Sequence, residues 1–159
     1  MPGSVTIHDD IDPEIWFDTL APVAWREGFR FVDRLVTDWR SGMNRFSGRH
    51  EVWLTALYDG SVVGFCGLNV DPYAGDMGIG RLRRLYVLPQ HRRMGVATML
   101  TAALLHRASG NFVSVRLRTD DTNAATFYGG LGFQQVDRVD ATHELQLDRY
   151  LQSEQRVEG

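Results

Sequence analysis

Hydrophobic positions in the N-terminal part of the chain recur at helical spacing. In the segment "RFVDRLVTDWRSG", the apolar side chains that share one helical face are Phe31, Val32, Leu35, Val36 and Trp39. Gly42 follows them, and glycine is the usual residue just past a helix end. The preceding segment, "PEIWFDTLAPVAWREGF", also has a helical pattern, although Pro22 should break or kink it because proline lacks a backbone N–H. The pattern predicts N-terminal helices over about residues 13–41.

Two runs rich in β-branched and aromatic residues come next, in "EVWLTALYDGSVVGFCGLNV". The pair Asp59-Gly60 separates them and is typical of a tight turn, since glycine tolerates the positive φ that such a turn requires. We therefore expect an antiparallel hairpin of Val52–Tyr58 and Ser61–Val70. A loop, "DPYAGDMGIG", leads to a further strand over 82–88, which Pro89 stops.

The C-terminal half alternates between helical and strand patterns. A helix is expected over about residues 95–108, and its apolar face is made of Val96, Met99, Leu100, Ala103 and Leu104. A strand in "FVSVRLRT", a short helix in "NAATFYGGL" and closing strands in "FQQV" and "HELQLD" follow. The order after the first helices is β-β-β-α-β-α-β-β, which indicates a mixed α/β fold with one central sheet. At 159 residues the chain has the size of one domain, and we expect residues 1–159 to form it.

Composition and charge narrow the possible functions. The net charge is -3, so the chain lacks the general basic field of a nucleic-acid-binding protein, and we expect no nucleic-acid partner. A run of arginines without interleaved aromatic residues does not change that expectation; its members are Arg81, Arg83, Arg84, Arg92 and Arg93. The single cysteine, Cys66, and the lack of a Cys/His cluster favour a reducing compartment and no metal. Because no signal-like or membrane-spanning apolar run occurs, we expect a cytoplasmic protein without membrane association.

The junction between the third expected strand and the long helix, "QHRRMGVAT", has the features of an anion-binding site. A helix N-terminus has free backbone N–H groups and a partial positive charge. Gly95 lets the backbone approach a ligand closely, Ala97 keeps the first turn uncluttered, and Arg92 and Arg93 add positive charge. A diphosphate fits this junction better than a carboxylate does.

Two motifs together resemble the GCN5-related N-acetyltransferase (GNAT) superfamily. The first, Arg92-x-x-Gly95-x-Ala97, lies between a strand ending "LYVLP" and an amphipathic helix, as the acetyl-CoA signature of that family does. The second is "NAATFYGGLGF" over 123–133, where a helix ending in Phe-Tyr is followed by a Gly-Phe pair. The resemblance covers a CoA-binding core of about 52–147. It implies a mixed, mostly antiparallel central sheet flanked by helices, with a splayed strand pair at the CoA site.

The resemblance also implies roles for individual residues. Main-chain groups of the splayed strand would bind the pantetheine arm and the acetyl carbonyl, and the matching residues are Leu85, Tyr86, Val87 and Leu88. The diphosphate loop matches Arg92, Arg93, Met94, Gly95, Val96, Ala97 and Thr98. Tyr128 matches the tyrosine near the thioester sulfur that acts as general acid toward the leaving thiolate, and Phe127 beside it is expected to contact the cofactor. The alternative for Tyr128 is a core aromatic residue on a helical stripe.

The sequence departs from the family pattern at two places. The asparagine expected seven residues before the tyrosine is Asp121 here, and Asn123 is nearby, so either side chain could contact the cofactor arm. The glutamate expected about five residues before the strand-ending valine is Leu82. The general base is therefore unassigned. The nearby candidates are Asp71, Asp76, Glu51 and His50, each more typical of a solvated loop or strand edge.

The resemblance implies an acetyl-CoA-dependent N-acetyltransferase that moves an acetyl group directly to a primary amine of a small molecule, a peptide or a protein. Acetyl-CoA would be the co-substrate, and no metal is required. The alternative is a catalytically silent module that binds CoA or acyl-CoA in a sensing or assembly role, which the missing glutamate favours. A homodimer is possible through the apolar C-terminal segment "THELQLDRYL".

Overall fold

The structure is a computed structural model, and it describes residues 3–148. Seven strands occur in that part of the chain: β1 (Val5–His8), β2 (Val52–Tyr58), β3 (Ser61–Val70), β4 (Ile79–Val87), β5 (Ser114–Leu117), β6 (Gln134–Gln135) and β7 (His143–Gln146). They form one sheet in the order β1-β2-β3-β4-β5-β7-β6. The pairing of β4 with β5 is parallel, and the other pairings are antiparallel.

Four helices flank this sheet in the described residues: α1 (Glu14–Arg26), α2 (Phe31–Ser41), α3 (Val96–Ala108) and α4 (Thr122–Gly130). A single 3-10 turn, Pro89–His91, connects β4 to the loop before α3. Gly42 caps α2 with a φ of 80°, in the left-handed region that glycine adopts without strain. The order of elements from β2 onward is the expected β-β-β-α-β-α-β-β, and the mixed, mostly antiparallel fold class is confirmed.

The β2–β3 hairpin has the predicted bounds at both strands. Its turn residues Asp59 and Gly60 have φ values of 51° and 80°, so both central positions are left-handed. That geometry matches the twist of the flanking strands, which explains why an Asp-Gly pair is favoured there.

The sheet is buried on both faces, so it separates two hydrophobic cores. Leu54 of β2 belongs to the core on the side of α3, together with Leu100. Its neighbour Trp53 belongs to the core on the side of α1 and α2, together with Phe17. Successive strand residues point to opposite faces, and burying each such side chain contributes about 1.5–3 kcal/mol.

The structure differs from the sequence-based expectation at the N-terminus. Strand β1 was not expected, and it pairs antiparallel with β2 at one edge of the sheet. Pro22 neither breaks nor ends α1, which continues to Arg26. Because Pro22 and Asp18 both lie on the exposed side of the helix, water can satisfy the Asp18 carbonyl that loses its intrahelical partner.

Two expectations further along the chain are also corrected. Strand β4 begins at Ile79 rather than at Leu82. In α3, Met99 is 39% exposed, and Thr101 is buried in its place. The Thr101 hydroxyl donates a 2.8 Å hydrogen bond to the Ala97 carbonyl, so a polar residue is accommodated on the buried face.

Candidate active site

An irregularity in β4 shapes the centre of the molecule. Phe65 pairs with Tyr86 and Gly67 pairs with Arg83, so β4 has one residue more than β3 between these pairs. Arg84 lies at this β-bulge with a φ of 63°, which is uncommon for a residue with a side chain. A bulge bends the strand and increases its twist. The second half of β4 stays paired with β3 but has no ladder with β5.

The strands β4 and β5 separate at the same place. Their parallel ladder joins Ile79, Gly80 and Arg81 to Ser114, Val115 and Arg116, and it ends there. Beyond Arg81 the edge of β4 that faces β5 has no paired strand within the described sheet. Main-chain N–H and C=O groups on this edge are therefore available to a ligand.

A cavity of about 550 Å³ opens where the two strands separate. It is lined by the α1–α2 connection, by β4, by the end of β5 and by the start of α4. Two residues expected at the cofactor site, Leu85 and Asp121, line it together with the expected general acid Tyr128. The side chains of Tyr86 and Leu88 instead pack in the core beside α1 and α2.

A second cavity, of about 230 Å³, lies at the loop between β4 and α3. Most of the residues expected to bind a diphosphate line it, with three neighbours: Val87, His91, Arg92, Arg93, Gly95, Val96, Ala97, Thr98 and Phe127. Within residues 3–148, no backbone N–H from position 93 to position 98 donates to a backbone carbonyl. Gly95 has a φ of 81°, and a Cβ there would meet nothing within 4 Å, so the backbone is open to a ligand at that point. Met94 does not line the cavity, and it is 44% exposed.

Arg92 is held by protein groups in addition to lining this cavity. Its Nε donates to the Val87 carbonyl at 3.0 Å, and its two terminal nitrogens donate to the Glu27 carboxylate at 2.9 and 3.0 Å. The Tyr86 hydroxyl donates to the same carboxylate at 2.5 Å. Burial raises the pKa of Glu27, but the hydrogen bonds from Arg92 and Tyr86 outweigh it and the pKa is lowered. The loop is thus tied to the segment just after α1.

Tyr128 lies on α4, with its ring packed against Phe127 and Phe133 at centroid distances of 5.2 and 5.5 Å. Burial raises the pKa of the Tyr128 hydroxyl above its ordinary value, so it is protonated at neutral pH. Asp121 begins this helix: its carboxylate accepts hydrogen bonds from the amides of Asn123 and Ala124 at 2.8 and 3.2 Å. Asp121 therefore positions the helix that carries Tyr128.

The four candidate bases lie outside the cavity that Tyr128 lines. Asp71 is buried and pairs with Arg81 at 3.2 Å, so it is not the solvated residue that the sequence suggested. Glu51 accepts a hydrogen bond from the Val70 amide at 2.9 Å, and Asp76 accepts one from the Gly78 amide at 2.7 Å. The base stays unassigned.

Two cavity residues were missed as site residues by sequence reasoning. Arg83 and Arg84 line the larger cavity on the strand that carries Leu85. The signal was present as "RLRRLYV", in which arginines interrupt the apolar residues of a predicted strand.

Two further kinds of feature are absent from the part of the chain that the structure describes. None of the helices there is long and apolar enough to cross a membrane. No group of three or more His, Cys, Asp or Glu residues among positions 3–148 is placed to hold a metal ion.

A family model described as an acetyltransferase (GNAT) domain matches residues 49–135, which is more than half of the chain. The chain belongs to the GNAT family. The resemblance inferred from the two motifs is therefore confirmed, and the sheet with its separated β4 and β5 is the fold of a GNAT acetyltransferase.

Solved structures with this GNAT fold include one from Exiguobacterium sp. 255-15 whose name assigns it to the acetyltransferases. It is 29% identical, with a TM-score of 0.82, over 94% of this chain and 98% of that one. The PaiA N-acetyltransferase from Thermoplasma acidophilum, in complex with coenzyme A, is 19% identical with a TM-score of 0.65, over 90% and 99%. The yncA structure from Salmonella typhimurium with acetyl-CoA is 16% identical with a TM-score of 0.67, over 91% and 94%. No curated protein matches the chain.

Proposed function

We propose that this chain is an acetyl-CoA-dependent N-acetyltransferase that moves the acetyl group directly to a primary amine. The observation that carries the proposal is the cavity between β4 and β5, which Tyr128 lines beside an unpaired strand edge. Family membership supports acyl transfer. The named complexes of PaiA with coenzyme A and of yncA with acetyl-CoA support the choice of donor.

The residues present fit acetyl-CoA at both of its ends. The unpaired amides of 93–98 and the open space at Gly95 suit the diphosphate, because helix N-termini stabilise anions. Leu85 lines the larger cavity and Val87 the smaller one, so β4 connects the two sites. An extended arm that follows this strand edge would bring a thioester to the cavity that Tyr128 lines.

The chain's own groups would promote the reaction in two ways. When bound, acetyl-CoA supplies an acetyl group activated as a thioester. Backbone N–H groups on the free edge of β4 would polarise the thioester carbonyl as the amine nitrogen attacks its carbon. The protonated Tyr128 hydroxyl would donate its proton to the sulfur as the carbon–sulfur bond breaks, and the attacking amine nitrogen would lose a proton to water.

An acceptor screen with free thiol release as the readout tests the proposal. The protein is incubated with acetyl-CoA and a panel of primary amines, and mass spectrometry checks that the product is the N-acetyl amine. Amine-dependent thiol release is the expected result. Binding of acetyl-CoA with no thiol release from any amine would instead favour the silent CoA-binding module.

The cofactor loop has its own test, the substitution Gly95→Asp. A carboxylate would then stand where the diphosphate binds, and repulsion should weaken CoA affinity by about tenfold or more. The fold should survive, because an acidic residue at a helix N-terminus offsets part of the strain of a positive φ.

Gly110→Asp is the matched control for this substitution. Gly110 has a φ of 82° and equally open space, but it lies just past the C-terminal end of α3. Isothermal titration calorimetry with CoA should give normal affinity for this variant. Unchanged affinity in folded Gly95→Asp would contradict the location of the diphosphate site.

A further inference from the structure

Three arginines on β4 differ in how the protein satisfies them. Arg81 is paired: its guanidinium donates to the Asp71 carboxylate at 3.2 Å and to the Asp140 carbonyl at 2.8 Å. Among residues 3–148, neither Arg83 nor Arg84 forms a hydrogen bond or an ion pair through its side chain. Both are partly buried and line the cavity with Tyr128.

The β-bulge explains how the successive residues Arg83 and Arg84 lie on the same side of the sheet. Leu82 and Val87 both pack in the core beside α3. In a regular strand, residues i and i+5 would point to opposite faces of the sheet. The extra residue in β4 therefore shifts the alternation of faces by one. The Arg84 guanidinium lies 5.8 Å from the centre of the Phe31 ring, on the side of α2.

No carboxylate forms an ion pair with either arginine among residues 3–148, although Asp120 and Asp121 also line the cavity. Asp38 on α2 attracts both arginines, but it pairs with the 77%-exposed Arg34 at 3.7 Å, and Arg34 repels Arg84. Burial lowers the pKa of Arg83, and it lowers the pKa of Arg84 to about 10. Desolvated cations without a partner are costly, and a bound anion would remove that cost.

We infer that the acceptor carries an oxyanion close to its amine, and that Arg83 and Arg84 bind it. This inference rests on the proposed acetyl transfer and specifies its substrate class: an amine that also carries a carboxylate or a phosphonate-type group. Guanidinium groups bind both oxyanions through paired hydrogen bonds. The anionic groups of CoA are assigned to the other end of β4, beside Gly95, so they do not account for these arginines.

Matched acceptors test the substrate class. An α-amino acid is compared with its carboxamide, with the amine that lacks the carboxyl group and with the corresponding aminophosphonic acid, at saturating acetyl-CoA. We expect kcat/KM for the two anionic acceptors to exceed that for the neutral and decarboxylated forms by about tenfold or more. The ratio of carboxylate to phosphonate identifies the preferred oxyanion. Equal or better turnover of the neutral forms would overturn the inference.

Single substitutions test the two arginines. Arg84→Gln and Arg83→Gln should each lower kcat/KM for the anionic acceptor by about tenfold to a hundredfold, because each removes a charged hydrogen-bond donor. The KM for acetyl-CoA and the kcat/KM for the carboxamide should not change. Arg84→Lys, which keeps the charge, should recover part of the loss.

Arg49→Gln is the matched control, since Arg49 is exposed and lines none of the described cavities. Melting temperatures of all variants establish that they fold. Equal losses with anionic and neutral acceptors, or weaker acetyl-CoA binding, would overturn the role of the arginines. Thiol release with neutral or cationic amines alone would overturn this inference and leave the transferase proposal intact, whereas no release with any amine would overturn both.

Discussion

At the scale of single residues, the surroundings of Tyr128 determine the chemistry that its hydroxyl can perform. The ring packs between two phenylalanines in the core beside α3 and α4, and the same side chain lines the larger cavity. The two sequence-based interpretations, a core aromatic and a general acid, are therefore compatible. Burial keeps the phenol protonated, which is the form that a general acid needs.

The substitution Tyr128→Phe separates the two roles. It keeps the ring and removes the hydroxyl, so turnover should fall about 10²- to 10⁴-fold while CoA affinity and melting temperature stay near wild type. Steady-state thiol release with a productive acceptor measures the change. Tyr58→Phe is the control, since the Tyr58 hydroxyl accepts a hydrogen bond from the Gly3 amide, and Tyr58 does not line that cavity. Equal rates for Tyr128→Phe and wild type, with chemistry rate-limiting, would reduce Tyr128 to a core residue.

The pH dependence of turnover follows from the same burial. Because the pKa of Tyr128 is raised above its ordinary value of 10.0, its proton is present throughout the range from pH 6 to pH 10. The pH profile of kcat/KM should therefore show no declining limb in that range that is due to Tyr128. Wild type and a Tyr128→Phe variant should have profiles of the same shape there. A declining limb below pH 10 that disappears in the variant would contradict the raised pKa.

At the scale of secondary-structure elements, a small network joins α1 to the cofactor loop. Glu27, just after α1, accepts hydrogen bonds from Tyr86 of β4 and from Arg92 of the loop. Arg92 was expected to contribute charge to the diphosphate site. In the structure its guanidinium forms an ion pair with Glu27, which partly neutralises the positive charge available to a ligand.

Glu27→Gln should remove a contribution of about 1 kcal/mol, or about 2–4 °C in melting temperature at pH 7, since solvent screens the half-exposed Arg92. The pKa of folded Glu27 is below the ordinary 4.5, so this stability is present above pH 4.5 and is lost as the pH falls through the lowered pKa. Thermal melts from pH 7 to pH 3 should show the difference between wild type and variant closing below pH 4.5.

Glu14→Gln provides the control for this network. It removes the more exposed pair with Arg40, and its effect at pH 7 should be smaller. A difference between Glu27→Gln and wild type that does not depend on pH would show that packing, rather than charge, stabilises the α1 junction.

At the scale of the whole molecule, the Asp71–Arg81 pair joins three distant segments. Asp71 lies just after β3, Arg81 lies on β4, and the Arg81 guanidinium also donates to the Asp140 carbonyl between β6 and β7. The two side chains are 1% and 8% exposed, so their charges interact with little screening. The pair therefore connects the β3–β4 loop to the β6–β7 loop, next to the place where β4 and β5 separate.

Asp71→Ala should lower the free energy of unfolding by about 3–5 kcal/mol, because it leaves the Arg81 charge buried without its partner. It also removes the acceptor of the Tyr73 and Ala74 amides, which adds to the loss. Urea unfolding with linear extrapolation measures the change. Asp9→Ala, which removes the half-exposed pair with Arg107, should cost no more than about 1 kcal/mol. A loss below 1 kcal/mol for Asp71→Ala would show that the pair is not an important tie.

The sequence alone determined those features whose cause is local. The β2–β3 hairpin, the start of α3 at Gly95 and the two family motifs were predictable, because backbone preference and helix-terminus chemistry act over a few neighbouring residues. Those motifs also indicated the family, and the role of Tyr128 as general acid stays a prediction.

Only the tertiary structure decided the features that depend on distant segments. Strand β1 is four residues long and lies at a sheet edge, so its pairing with β2 stabilises it more than its own pattern does. The bulge at Arg84 depends on the pairing of β4 with β3, because it is the one extra residue of β4 between two paired positions. Glu27 meets Arg92 across 65 positions of the chain, and the paired state of Arg81 distinguishes it from Arg83 and Arg84. The sequence next to a charged side chain does not indicate its partner, because only the folded chain brings the two together.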